Sequence, residues 1–154
     1  MKLKLKRSEV KRLHIESTEW GRKVLEESVG EEFFKKRNFD DIKTFEDACE
    51  ELGIDPETVI QENDTPDEAA YKKLKIVVTA INQGWVPDWD NKSQYKYWPW
   101  FNLSSGSGFS DSSSVYNSAF TTVGSRLCFE SEEKSNYAAK QFNELYKQFL
   151  TINN

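Results

Sequence analysis

The chain has 154 residues, of which 31% are charged and 37% hydrophobic, and its formal net charge is −5. This length and composition indicate one globular domain with its own core, and they exclude a chain that is disordered throughout. A mildly acidic chain has no overall attraction to nucleic acid or to anionic lipid. No apolar run reaches the roughly 20 residues of a transmembrane helix, and none follows the basic N-terminus as in a signal peptide. We therefore expect a cytoplasmic protein without a membrane partner.

The N-terminal part of the chain is basic and then has a helical pattern. In residues 1–16 leucines first alternate with lysines, which favours a short edge strand or a frayed terminus. Residues 17–29 have the apolar spacing of a helix that ends at Gly30. Either Ser17 or Thr18 can cap the start of this helix, because a hydroxyl there accepts a free backbone N–H.

Two helices are predicted in the centre of the chain. Thr44 is placed to cap a short helix, and Gly53 is placed to end it in the left-handed conformation. Residues 65–68 (Thr-Pro-Asp-Glu) form a capping-box sequence with proline at the first helical position. Apolar residues then recur at helical spacing through residue 83, so this segment is the clearest helix prediction in the chain.

The chain changes character after Gly84, where helix formers become rare and aromatic residues, serine and glycine become common. Runs of β-branched and aromatic residues predict strands, and a run of small polar residues between them predicts a flexible loop. Pro99 removes a backbone donor from the first strand, so we expect that strand at an edge or at a bulge. The strands are predicted at residues 95–103, around Phe109, at 115–120 and at 123–129, and the loop at 104–114.

Ser131 is placed to cap a final helix that continues to residue 150. The predicted helices and strands are segregated along the chain: helices come first, then antiparallel strands, then another helix. This order is typical of α+β folds. We therefore predict an α+β fold in which an antiparallel β-meander, about residues 95–129, packs against the N-terminal and central helices and a C-terminal helix. The predicted core is Leu74, Val77, Val78, Ile81, Leu127, Phe129, Phe142, Leu145 and Phe149.

Four short sequence blocks form a distinctive combination. They are Thr-Phe-Glu-Asp-Ala-Cys with Leu-Gly-Ile (44–49, 52–54), Gly-Trp with Pro-Asp-Trp (84–85, 87–89), Tyr with Pro-Trp-Phe (97, 99–101), and Gly-Ser-Arg-Leu-Cys-Phe with Tyr-Ala and Gln-Phe (124–129, 137–138, 141–142). Together they resemble a family of small uncharacterised proteins found in gut anaerobic bacteria, their phages and integrated mobile elements.

The resemblance covers residues 38–150 and leaves residues 1–37 as a variable basic and helical segment of one domain, residues 1–154. The family has glycine where this chain has Ala139, a difference that should affect packing only. The resemblance implies a phage or mobile-element context, and it brings no activity, cofactor or catalytic residue.

Aromatic residues crowd the stretch between residues 85 and 109. One packed face of a small sheet cannot hold all of these rings, and tryptophan is rarely fully buried, so some rings should remain exposed at a rim. Arg126 can add a planar cation that stacks on a ring or binds an anion. The alternative is that the rings form the core and that Arg126 pairs with Asp88 or Asp90. The predicted ligand-binding residues are Trp85, Trp89, Trp98, Trp100 and Arg126.

Three functions are compatible with these patterns. The first is a non-catalytic binding or accessory module that meets an unknown protein or other ligand at the aromatic face. The second is a single-stranded nucleic-acid-associated protein, which would use stacked rings and basic side chains. The third is an enzyme with a carboxylate site at Asp88, Asp90 or Asp111, although no catalytic motif is present. The basic residues for the second function are Lys2, Lys4, Lys6, Arg7, Lys11 and Arg12.

We favour the binding module and expect neither a cofactor nor a metal. The two cysteines, Cys49 and Cys128, lie far apart in sequence and match no metal-binding spacing. We predict that both are buried and reduced, as in proteins of a reducing compartment.

Overall fold

The structure is a computed structural model that describes residues 5–104 and 110–152, with the backbone alone described at 110–112. Within these residues it contains six α-helices and one two-stranded antiparallel sheet, which confirms the α+β class. None of the described helices is long and apolar enough to span a membrane. The elements are α1 (Arg7–Glu16), α2 (Glu19–Val29), α3 (Phe45–Leu52), α4 (Pro66–Asn82), β1 (Lys96–Asn102), β2 (Ser110–Asn117), α5 (Glu132–Gln141) and α6 (Asn143–Leu150).

The helix ends follow the caps that the sequence predicts. Thr44 Oγ1 accepts the backbone N–H of Asp47 at 3.0 Å, and Asp47 Oδ2 accepts that of Thr44 at 3.0 Å. Gly53 ends α3 with φ 66°, and a Cβ there would lie 2.8 Å from the backbone of Arg12 in α1. Glycine is therefore needed at this position both for its conformation and for the close packing of α1 on α3.

The core lies between α4, the turn segment before α5, and the C-terminal helices. Leu74, Val77 and Ile81 are fully buried along one face of α4, as the helical spacing predicts. The prediction is also confirmed for Val78, Leu127, Phe129 and Phe142, whereas Leu145 and Phe149 are only half-buried against the core.

The sheet is smaller than the predicted meander. β1 and β2 pair alone, and the predicted strand at 123–129 is wrong, because within the described chain it contributes one isolated bridge, between Phe129 and Tyr97. A turn interrupts that segment: Gly124 has φ 72°, and Thr121 Oγ1 accepts the backbone N–H of Gly124 at 3.0 Å. Its apolar residues are buried by this turn and not by strand pairing.

The serine-rich segment also differs from its prediction. Residues 110–114, predicted as loop, belong to β2, because this segment pairs with residues 99–102 of β1. Ser114 Oγ also donates to Ser135 Oγ on α5 at 2.7 Å. The predicted strand at 115–120 is confirmed only as far as Asn117. The register of the hairpin shifts just after Trp100, one residue beyond Pro99. The predicted weak strand at Phe109 lies outside the described residues.

Both ends of the chain differ from prediction as well. No strand forms at residues 5–6, and α1 begins at Arg7; the preceding leucine and lysines lie outside the described residues. The C-terminal helix is two helices, because Phe142 leaves the helical conformation with φ −112° and ψ 28°. The break lets Phe142 enter the core while α6 packs against α4.

Cys49 and Cys128 are both free and buried, as predicted. Burial raises the pKa of each thiol to about 11. The nucleophilic thiolate is therefore scarce at neutral pH in the folded protein.

We expect both thiols to react slowly with Ellman's reagent in the folded protein at pH 8. A pKa near 11 leaves more than about a hundredfold less thiolate than an ordinary cysteine has at this pH. The measurement is the absorbance time course of the native protein and of the same protein in guanidinium chloride. Labelling of either native thiol at the rate of the unfolded chain would contradict burial.

Candidate functional site

The residues predicted as one aromatic site are divided between two openings. Trp85 and Arg126 line a groove of about 720 Å³ beside α4, which we call the α4 groove. Trp98 and Trp100 line a separate cavity of about 310 Å³ between β1 and α6, which we call the α6 cavity. Trp89 stands next to the groove, since its Nε1 donates to Ser125 Oγ, which lines the groove, at 2.7 Å.

The segment 122–127 separates the two openings. Ser125 and Arg126 line the α4 groove, whereas Val123 and Leu127 line the α6 cavity. The sequence shows these residues only as neighbours, so the division could not be predicted from it. One short segment therefore forms a wall of both sites.

The exit from α4 shapes the far wall of the groove. Gln83 has φ 55° and Gly84 has φ 94°, two left-handed residues in succession that turn the chain back. Trp85 N–H then donates to Asn82 O at 3.0 Å and fixes the turn. This turn contributes Trp85, the exposed Val86 and Pro87 to the groove. The other apolar lining residues include Leu52, Ile54, Val59 and Ile76.

The charged side chains among the described residues that line the groove are all cations: Lys72, Lys75 and Arg126. Lys72 is neutralised by Asp64, with Nζ at 2.6 Å from Oδ1. Lys75 Nζ lies over the ring of Tyr71, at 4.9 Å from its centroid, and has no carboxylate partner among the described residues. The groove is therefore locally positive in a chain of net charge −5.

Arg126 is exposed, and its guanidinium has no ion pair or hydrogen bond with any residue in 5–104 or 110–152. The alternative pairing with Asp88 or Asp90, both of which are described, is not formed. Asp88 Oδ1 instead accepts the backbone N–H groups of Asp90 at 3.0 Å and Asn91 at 3.3 Å. The Asp88 carboxylate therefore stabilises the turn in which it lies. Arg126 remains available to bind an anion.

A fully buried lysine holds the loop that carries Trp89. Lys96 Nζ donates to the backbone carbonyls of Gln94 at 2.7 Å, Ser118 at 3.1 Å and Asn91 at 3.3 Å, and also to that of Asp88. The Trp89 ring centroid lies 5.1 Å from the same ammonium. Carbonyl dipoles and the ring face stabilise the charge in place of a carboxylate.

The sequence analysis missed Lys96, because a lysine in a strand is usually exposed. The one feature of the sequence that points to burial of Lys96 is its position between aromatic residues in a strand whose side chains alternate between two faces. Lys96 positions the Trp89 ring, which lies against its ammonium group. Trp89 Nε1 in turn donates to Ser125 Oγ at the groove.

Three of the four described basic N-terminal residues are paired with carboxylates of the protein itself. Lys6 lies 3.1 Å from Glu57, and Arg7 lies 2.9 Å from Glu50. Lys11 and Glu51 form a largely buried pair at 2.7 Å. Arg12 is exposed, and the two lysines nearest the N-terminus, Lys2 and Lys4, lie outside the described residues. Cations that hold α1 on the rest of the fold are not free to bind phosphates.

The carboxylates considered for catalysis do not form a described cluster. Asp88 and Asp90 are exposed and share one turn, where Asp88 accepts backbone N–H groups. The side chain of Asp111 lies outside the described residues.

The α4 groove is thus the larger of the two openings, with apolar walls and cations on its rim. No protein-family model, curated protein or solved structure matches this chain.

Proposed function

We propose that this chain is a non-catalytic binding module that docks a short acidic segment of a partner protein in the α4 groove. The segment presents apolar side chains to the groove and carboxylates to its rim. The sequence resemblance supports a phage or mobile-element context for this role, and the two free thiols support a cytoplasmic one.

The observation that carries the proposal is the free guanidinium of Arg126 at the edge of an apolar groove. A guanidinium binds a carboxylate through two parallel hydrogen bonds, and a partly desolvated setting strengthens them. Arg and Trp are also the residues that most often dominate the energy of protein interfaces. Arg126 and Trp85 line the same groove.

The apolar walls favour a peptide over other occupants. The half-buried Ile76 and the exposed Val86, which has 74% of its surface accessible, offer area that a partner's aliphatic side chain would bury. Single-stranded nucleic acid instead requires a series of cations along a backbone and several stacking rings. The groove supplies one tryptophan and two cations without a carboxylate partner in the described chain.

We expect peptides selected from a random library on the full chain to be enriched in Asp and Glu next to Leu, Ile or Phe. Binding to the Arg126→Glu variant should be weaker by roughly 10- to 100-fold, because a charge-assisted hydrogen bond contributes about 1.5–3 kcal/mol. Fluorescence polarisation of a labelled selected peptide measures the dissociation constant.

The matched control is Lys147→Glu, which makes the same charge change at an exposed position on α6, away from the groove. It should leave peptide affinity unchanged. Selected peptides without acidic residues, or with equal affinity for the Arg126→Glu protein, would refute docking in the groove. A salt-dependent affinity for single-stranded DNA that Arg126→Glu abolishes would instead favour nucleic-acid binding.

A further inference from the structure

The α6 cavity carries two buried polar atoms that have no hydrogen-bond partner among the described residues. They are Trp98 Nε1 and Tyr146 Oη. Both side chains line the cavity and are nearly inaccessible, with 6% and 3% of their surface exposed. Native proteins rarely leave buried donors unpaired, because such a group loses its bonds to water without replacing them.

The rest of the cavity is apolar. Among the described residues, its lining contains no charged side chain and one hydroxyl besides Tyr146, that of Thr122. Burial raises the pKa of Tyr146, so its phenol stays neutral and keeps its proton to donate. An ionised occupant would leave its charge unpaired in this setting and is disfavoured.

The mouth of the cavity is open and lined by large apolar side chains. Trp100 has 51% of its surface exposed, and Leu103 and Leu150 are exposed beside it. A volume of about 310 Å³ lies at the small end of the roughly 300–1,000 Å³ range of ligand sites. The volume therefore fits a small molecule.

We infer that the α6 cavity binds a small, uncharged, mostly apolar molecule that carries a hydrogen-bond acceptor. Trp98 Nε1 can only donate, so the occupant must offer an acceptor oxygen to it. Tyr146 Oη can also donate a hydrogen bond. Neither polar atom reaches solvent in this structure, so the two rings must turn slightly toward the occupant. The cavity is a separate opening, and the reasons for its occupancy do not involve the peptide groove.

Three small probes that share one bicyclic skeleton test this inference on the full chain. 1-Indanone has the acceptor, indane lacks it, and indane-1-carboxylate carries a charge. In ¹H–¹⁵N spectra the chain's five tryptophans give five indole N–H signals, and Trp98→Phe identifies the one from Trp98 by its loss. We expect 1-indanone to shift the Trp98 signal saturably, indane to bind more weakly, and the carboxylate not to bind.

Two conservative variants separate hydrogen bonding from mere burial. Trp98→Phe and Tyr146→Phe keep the rings, and each should weaken 1-indanone binding about three- to tenfold while leaving indane affinity unchanged. Tyr146→Phe should also raise the melting temperature of the empty protein, because it removes an unpaired buried hydroxyl. Val123→Phe should block 1-indanone binding by filling the cavity.

Equal affinity of the parent protein for 1-indanone and indane, or an unmoved Trp98 signal at saturation, would overturn the inference. So would the absence of saturable 1-indanone binding to the folded parent. Unchanged 1-indanone affinity in both conservative variants would show that the two polar atoms play no part.

Discussion

Replacing Lys96 with methionine should destabilise the protein by about 3–5 kcal/mol. Methionine has a similar length but cannot donate, so the four backbone carbonyls that now receive the ammonium would lose their partner. The change also removes the cation under the Trp89 ring. Urea unfolding monitored by circular dichroism gives the free energy of unfolding for comparison with the parent.

The matched control is Lys92→Met, which removes the same charge from an exposed position in the same loop. We expect it to change stability by less than about 0.5 kcal/mol, as surface substitutions usually do. If Lys96→Met were as stable as Lys92→Met, the carbonyl contacts would not contribute to stability and the buried charge would be a cost without a benefit.

The Phe142→Ala substitution should cost about 3–5 kcal/mol, the usual range for truncation of a buried phenylalanine. Phe142 is 5% exposed in the core cluster, at the break between α5 and α6. Truncation would leave a cavity between these helices and α4 that rigid neighbours could fill only in part. For a chain of this size we expect the melting temperature to fall by roughly 10 °C.

Phe120→Ala serves as the control, since Phe120 is 77% exposed and removal of its ring deletes little buried area. The melting temperature of this variant should stay within about 2 °C of the parent. A Phe142→Ala protein that melts with the control would mean that the core does not depend on this ring.

The sequence predicts the helix ends well because caps act over three or four residues. Thr44 with Asp47, and Gly53 with its left-handed conformation, are fixed by local geometry alone. The strand predicted at 123–129 is wrong because the prediction depended on burial, which does not by itself determine the local conformation. Its apolar residues indicate burial, and burial is also reached by a turn such as the one at Gly124.

The sequence predicted which types of residue form the candidate site, but not how they are arranged. Tryptophans and one arginine pointed to a binding region, but their division between two openings depends on how segment 122–127 packs between them. Lys96 could not be predicted at all, since its acceptors include a carbonyl 22 residues further along the chain. Tertiary packing, which no local pattern encodes, decides both features.

The shared wall between the α4 groove and the α6 cavity has a thermodynamic consequence. Val123 lines the cavity and Arg126 lines the groove in one short segment, so a ligand that displaced this segment at one opening would also change the shape of the other. If a peptide in the groove alters the cavity's affinity by some factor, the cavity's occupant must alter the peptide's affinity by the same factor. Two ligands that are not in contact would then change each other's affinity through three or four residues of backbone.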